Sequence, residues 1–164
     1  MVMELRDATS EDLPAIVAIY NTTVASRMVT ADTEPVSVES RRAWFNQHSP
    51  ARRPLWVALE SGQMLGWLSY SSFYGRPAYN ATCEVSIYLA PEHRGRGLGG
   101  QLLLRCVEHA PAIGVSTLLG FIFGHNVPSL KLFEKHGFTQ WGLLPQVARL
   151  DGVDRDLVIV GRRV

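Results

Sequence analysis

Two features of the sequence carry chemistry before any element is assigned. The first is Arg94-Gly95-Arg96-Gly97-Leu98-Gly99, followed by Gly100. It lies between the apolar, β-branched run Val85-Ser86-Ile87-Tyr88-Leu89 and an amphipathic pattern from Leu98 to about Ala110. A glycine turn between a strand and a helix presents backbone N–H groups at the helix N-terminus, where the helix dipole adds partial positive charge. Glycine also permits positive φ and a close approach of ligand to backbone. The arrangement reads as a phosphate site. An ATP loop needs Lys and then Ser or Thr after its last glycine, but Gly99 is followed by Gly100, Gln101 and Leu102. Gly95, Gly97 and Gly100 satisfy the dinucleotide spacing G-x-G-x-x-G. No Asp or Glu lies between Glu108 and Glu134 to hold a ribose, however, and the motif sits mid-chain.

The second feature is Glu84, the only carboxylate between Glu60 and Glu92, inside an otherwise apolar strand. By alternation it shares a face with Ser86 and Tyr88, while Val85, Ile87 and Leu89 point the other way. Partial burial there raises a carboxyl pKa toward the range of a general base.

The elements that must position these residues follow from periodicity. Met3 to Ala8 reads as a first strand. Thr9-Ser10-Glu11-Asp12 reads as a helix start, with Leu13, Ile16, Val17 and Tyr20 on one face. Thr22 to Val38 reads as a loop, and Ser37 to about His48 as a second helix ended by Pro50 and Pro54. Leu55–Leu59 and Met64–Phe73 form a hairpin around Ser61-Gly62-Gln63, and Ala81–Leu89 is the next strand. After the glycine turn and its helix, Val115 to Phe123 reads as a strand buried on both faces. Asn126 to His136 reads as a short helix closed by Gly137. Residues 138–149 and 155–163 read as final strands around Asp151-Gly152.

Composition bounds the function. The 164 residues suit one domain, 46% are apolar and 19% charged, and the net charge of +1 excludes a broad basic field for nucleic acid. The Arg pairs 41–42, 52–53 and 162–163 read as solvated surface. Cys83 and Cys106 read as small buried hydrophobes, not as a disulfide or zinc ligands. No apolar run reaches a membrane span, and the N-terminus with Glu4, Asp7, Glu11 and Asp12 is unlike a signal or transit peptide; a cytoplasmic protein is expected.

The order β-α-α-β-β-β-α-β-α-β-β, with Arg94, Gly97 and Gly99 after the fourth strand, resembles the GCN5-related N-acetyltransferase (GNAT) family, whose signature there is Gln/Arg-x-x-Gly-x-Gly/Ala. Asn126, Ser129, Leu130, Phe133, Glu134, Lys135, Gly137 and Phe138 resemble its second motif, Asn-x-x-(Ser/Ala)-x-x-(Leu/Phe)-Tyr-x-Lys-x-Gly-Phe. Tyr20-Asn21, Thr33-Glu34-Pro35, Ala43-Trp44-Phe45, Arg76 through Glu84 and Leu144-Pro145-Gln146-Val147 resemble the phosphinothricin and methionine sulfone acetyltransferase branch.

The resemblance implies an α/β fold in one domain, 1–164, with a single mixed, mostly antiparallel twisted sheet of roughly six to seven strands flanked by about four helices. It implies acetyl-CoA as co-substrate, no metal, and transfer to the α-amino group of a small amino acid or analogue. Arg94, Gly95, Arg96, Gly97, Leu98, Gly99 and Gly100 would hold the pyrophosphate. The backbone of Ile87, Tyr88 and Leu89 would pair with the pantetheine arm and polarise the thioester carbonyl, and Asn126 and Ser129 would add contacts. Glu84 would be the base, acting through water. Arg76, flanked by Phe73, Tyr74 and Tyr79, would receive the substrate carboxylate. A homodimer is implied, with neither nucleic acid nor membrane as partner. Two departures stand out. Phe133 replaces the tyrosine that many members use as an acid, and Gly152-Val153-Asp154-Arg155-Asp156 lacks the tryptophan that the branch often carries. Another amine or a protein N-terminus as acceptor, and an acyl-CoA-binding module without activity, stay open as alternatives.

Overall fold

Leu55–Glu60 (β2) and Gln63–Ser72 (β3) are joined by Ser61 and Gly62, both at positive φ, in a tight turn that suits the twist of paired strands. In the computed structural model, which describes residues 3–164, Glu4–Asp7 (β1) adds antiparallel to β2 and Thr82–Leu89 (β4) adds antiparallel to β3. Thr117–Phe123 (β5) follows in parallel, and Thr139–Leu150 (β6) and Val153–Arg163 (β7) complete the sheet. Among the described residues the order is β1-β2-β3-β4-β5-β7-β6, seven strands in which only the β4–β5 pair is parallel. This is the mixed, mostly antiparallel α/β sheet expected.

Helices cover both faces. Leu98–His109 (α3) lays Leu98, Leu102, Leu103 and Cys106 on the sheet face that carries Val85, and Val127–Lys135 (α4) adds Phe133 to the same core. The Tyr70 hydroxyl, fully buried, donates to the Cys106 carbonyl at 2.7 Å and ties α3 to β3. On the opposite face Leu13–Val24 (α1) packs Ile16 and Ile19 against Val57 and Trp67, and the Trp67 indole N–H donates to the Ile16 carbonyl at 3.1 Å. Both cysteines are buried and free, as expected. Among the described residues no helix is long and apolar enough to cross a membrane.

Three expectations are corrected. Helix α1 runs on to Val24 because the Thr22 and Thr23 hydroxyls bond back to the Ile19 and Tyr20 carbonyls at 2.6 and 2.7 Å, so these residues need not leave the helix. The second helix shrinks to Arg42–Asn46 (α2) behind a 3₁₀ turn at Glu39–Arg41. There the Ser37 hydroxyl takes the Ser40 N–H at 3.1 Å, a local bond that competes with the helix. The Arg pairs are not all surface. Arg53 is 4% exposed, with its guanidinium donating to the Ser72 hydroxyl and to the Arg52 and Asn80 carbonyls, and Arg41 is half-buried against Asp32.

The start of the chain depends on one carboxylate. Asp12 accepts from the Thr9 N–H at 2.7 Å in a capping box and pairs with Arg6 at 2.7 Å. The Arg6 hydrogen bond holds its carboxyl below the usual range. A carboxyl depressed on folding stabilises above its unfolded pKa, near 4, and loses that contribution as pH falls through the folded value. Asp12→Asn is expected to cost about 1 kcal/mol at neutral pH, with Arg6 partly solvated, and almost nothing in acid. Thermal melts of both proteins across pH check this.

One close approach matters to the site. Gly66 lies opposite Leu89, and a Cβ there would stand 2.6 Å from the Tyr88 carbonyl oxygen and 2.7 Å from a Leu89 methyl.

Candidate active site

The parallel ladder between β4 and β5 is short. It pairs Thr82, Cys83 and Glu84 with Thr117, Leu118 and Leu119 and stops there, although β4 continues to Leu89 and β5 to Phe123. From Val85 onward β4 keeps β3 on one side and faces an opening on the other. That opening is a cleft of about 600 Å³ whose walls are residues 85–89 of β4, Phe121 and Ile122 of β5, and the facing parts of α3 and α4. Gly95 and Gly97 sit at its end with φ of +76° and +77°, and Gly97 is the residue before the first turn of α3. Chain reversal into the helix thus occurs at a residue that tolerates the left-handed region, leaving the first N–H groups of α3 at the cleft.

Of the residues singled out for the cofactor, Ile87, Tyr88, Leu89, Arg94, Gly95, Gly97, Leu98, Gly99, Gly100, Asn126 and Ser129 all line this cleft. Arg96 is not among its walls; it donates to the His93 imidazole at 2.8 Å and pairs with Glu60 at 3.4 Å, bracing the turn from outside. Asn126 is buried, and its side chain accepts from the Ser129 N–H at 3.3 Å as a helix cap and donates to the Met28 carbonyl at 3.0 Å. Its amide therefore holds the 25–30 segment against the cleft, where Met28 and Val29 form part of the wall. Asn126→Ala removes the cap and this tie. It is expected to cost about 1–2 kcal/mol, or about 3–6 °C in Tm, and to raise KM for an occupant of the cleft, measured by melting and by titration.

Glu84 lines a second, smaller cavity of about 220 Å³ on the other face of the sheet, under α1 and α2. The register builds it. Trp67, Ser69 and Ser71 of β3 stand opposite Tyr88, Ser86 and Glu84 of β4, so all six side chains share one face. Tyr20, Arg41 and Trp44 close the pocket from above. Its walls are aromatic: Trp67 stacks on Tyr88 at 4.6 Å, Trp44 meets Trp67 at 5.4 Å and Tyr20 meets Tyr88 at 5.1 Å between ring centroids. Arg41 donates to Asp32 at 2.8 Å and lies 4.8 Å above the Tyr20 ring, while the Tyr20 hydroxyl bonds to Asp32 and Thr30.

Glu84 has no hydrogen-bond or ion-pair partner among the described residues, and burial pushes its carboxyl above the usual range. Burial also pushes the Tyr88 phenol up. Ser86 and Tyr88 line both cavities, so the cleft and the pocket meet on β4 two to four residues beyond Glu84.

The loop residues Phe73, Tyr74, Arg76 and Tyr79 line neither cavity. Their rings pack on one another, Phe73 against Tyr79 at 5.5 Å and Tyr74 against Tyr79 at 5.7 Å, and Arg76 is exposed. Phe133 is buried against Phe138 at 5.0 Å. Arg41, Tyr20, Trp44, Ser69, Ser71 and Ser86 were not assigned to the site from the sequence, although Tyr20 and Trp44 lie in segments that resemble the branch and Ser86 shares the Glu84 face. One signal was present: Ser69 and Ser71 alternate at period two in β3, and Ser86 follows Glu84 at the same period in β4, the pattern of a polar lining.

Residues 16–138 match the model of the Acetyltransferase (GNAT) family. YwnH of Bacillus subtilis, which bears a provisional phosphinothricin acetyltransferase name, is 56% identical over 163 residues, 99% of each chain. An L-methionine sulfoximine/L-methionine sulfone acetyltransferase of Pseudomonas aeruginosa is 35% identical over 161 residues, 98% of this chain and 94% of the relative. The crystal structure of a GNAT superfamily phosphinothricin acetyltransferase from Sinorhizobium meliloti in complex with acetyl-CoA superposes with a TM-score of 0.93 at 32% identity, covering all of this chain and 89% of the other.

Proposed function

Because the chain belongs to the GNAT acetyltransferase family, we propose that it moves the acetyl group of acetyl-CoA to the α-amino group of a small amino acid or analogue. Acceptors of the phosphinothricin or methionine sulfoximine and sulfone type are favoured by the relatives. The observation that carries this reading is Glu84, an unpaired carboxyl withdrawn from water, in a pocket that meets the cleft on the same strand.

The residues divide the work as follows. Arg94 and the glycine turn hold the pyrophosphate at the N-terminus of α3. The open edge of β4 pairs with the pantetheine arm and supplies N–H groups to the thioester oxygen. The acceptor nitrogen enters through the aromatic pocket, whose rings and carboxylate suit an ammonium. Glu84 takes its proton through a water, and the freed lone pair attacks the carbonyl carbon. The C–S bond breaks with its electron pair on sulfur, and the second proton, shed by the acylated nitrogen as the amide forms, neutralises the thiolate through water. An alkyl thiol has a pKa of about 8.5, so the thiolate leaves without a strong acid, consistent with a buried phenylalanine at position 133.

The acceptor's carboxylate needs a guanidinium. Arg41 lines the pocket, whereas Arg76 stands outside it on the exposed loop. Arg41→Ala is expected to raise KM for the amino acid about 10- to 100-fold with that for acetyl-CoA unchanged, and Arg76→Ala to have the smaller effect. Steady-state kinetics with each substrate varied in turn checks the order. A homodimer fits the outer edge of the sheet, where Trp141, Leu143, Leu144 and Val147 of β6 are exposed; sedimentation tests it.

A thiol-release assay with acetyl-CoA and a panel of amino acids, including phosphinothricin and methionine sulfone, tests the function. Turnover of these acceptors is expected. Binding of acetyl-CoA with no turnover of any amine overturns the reading in favour of a binding module.

A further inference from the structure

The pocket contains a hydrogen-bonded chain that leads away from Glu84. The His48 imidazole Nδ1 bonds the Trp44 carbonyl at 3.0 Å, its Nε2 bonds the Ser69 hydroxyl at 3.1 Å, and the Ser69 and Ser71 hydroxyls are 3.2 Å apart. Ser71 is the residue directly opposite Glu84 in the β3–β4 ladder, and both line the pocket. A directly opposed pair holds its Cβ atoms about 5 Å apart; the two side chains make no direct hydrogen bond, so the first link is one bridging water. We propose that Ser71, Ser69 and His48 relay the proton collected by Glu84 out of the pocket. The inference rests on Glu84 being the base.

The carbonyl of Trp44 sets the direction of the chain. A carbonyl only accepts, so Nδ1 carries the imidazole hydrogen and Nε2 of the neutral ring is an acceptor. Ser69 must then donate to Nε2, which leaves its oxygen to accept from Ser71, and the Ser71 oxygen in turn is free to accept from the water that takes the proton of Glu84. Every hydroxyl thus points one way. When Glu84 passes a proton to the bridging water, the water passes one of its own to Ser71, Ser71 its own to Ser69 and Ser69 its own to His48. Four O–H bonds break, three O–H bonds and one N–H bond form, and the net change is one proton moved from carboxylic acid to imidazole. Glu84 is ready for the next ammonium, and the imidazolium keeps its bond to Trp44.

His48 is suited to the end of such a chain. It is half-buried, and its Nε2 is the end of the hydrogen-bonded chain. Burial lowers its pKa, while the backbone of Trp44, Phe45 and Tyr70 acts in the opposite direction. The Trp44 ring packs edge-on at 4.9 Å. An imidazolium in that setting holds its proton less tightly than a free one; turning away from Ser69, it gives the Nε2 proton to water, and the hydroxyls rotate back as the neutral ring returns. His48 is therefore a positioning residue for proton flow, not a group that touches substrate.

The test compares His48→Gln, Ser69→Ala, their double variant and Glu84→Gln in dilute buffer, with and without added imidazole. His48→Gln and Ser69→Ala are each expected to lower kcat about tenfold, less than loss of the base itself, with KM for acetyl-CoA unchanged. Imidazole should restore His48→Gln by accepting the proton in place of the missing ring. The double variant should be no slower than either single one, since both cut the same chain. Unchanged kcat in both single variants, or losses that imidazole leaves untouched and that multiply in the double variant, overturns the relay. If Glu84→Gln loses activity while the other variants do not, only the relay fails. If Glu84→Gln keeps full activity, the base assignment itself fails.

Discussion

Glu84→Gln is expected to lower kcat by about 10²- to 10⁴-fold while binding of acetyl-CoA, read by titration, stays close to the parent. The reason is geometric. Glu84 lines the smaller pocket and is not a wall of the cleft, so the substitution leaves the surfaces that would hold the co-substrate intact. Stability should move in the opposite direction to activity. Burial raises the Glu84 carboxyl on folding, and a carboxyl raised on folding costs stability above its folded pKa; that cost is relieved as pH falls through it. Glutamine is neutral at every pH. The variant should therefore melt no lower than the parent at neutral pH, and the two should converge in acid. In the parent, kcat should rise with pH as Glu84 ionises, and this limb should vanish in the variant. A near-normal kcat across pH would remove Glu84 from the role of base.

Gly66→Ala carries the second large effect, and it acts through structure. The new Cβ would stand 2.6 Å from the Tyr88 carbonyl, a backbone atom that cannot turn aside as a side chain can. Relief requires β3 and β4 to part where β4 borders the cleft. Overpacking of this kind costs about 3 kcal/mol, which in a chain of this length lowers Tm by about 10 °C. Because the displaced segment is Tyr88–Leu89, KM for acetyl-CoA should rise as well. Gly62→Ala is a useful contrast: its site is open but at φ of +78°, so it should reduce stability without touching KM.

What the sequence made legible was local. The glycine turn, the Asn126 cap and the alternation along β4 depend on spacing within a few residues, and the structure puts Glu84, Ser86 and Tyr88 on one face as that alternation predicts. What it left hidden depends on partners distant in the chain. Arg41 and Arg53 look like any exposed arginine until Asp32, Ser72 and Asn80 are brought to them. Thr22 and Thr23 resemble loop residues because their hydroxyls can bond the backbone in many conformations; inside α1 they bond the preceding turn. Asn126 was expected to offer its amide to a ligand, yet that amide is also bonded to Met28, ninety-eight positions away. His48 was only the end of a helix in the sequence, and its contact with Ser69 spans twenty-one positions.

The early end of the β4–β5 ladder has a consequence for solubility and for tolerance of change. A strand side without a partner invites pairing with other chains, which natural sheets resist with bulges and charges. On the outer strand β6 the register breaks between Leu144 and Ala148, a bulge of that kind. The open side of β4 has another protection. It lies in the interior of the sheet, between β3 and β5, with α3 and α4 as walls, so a foreign strand has no room to dock flat along it. Such an edge can stay ready to pair without becoming sticky. On the proposed pairing of β4 with the pantetheine arm, recognition would use main-chain atoms, so conservative changes at Ile87 and Leu89 should register in thermal stability more than in affinity for acetyl-CoA. Drift in this strand would be policed by the core, not by the ligand.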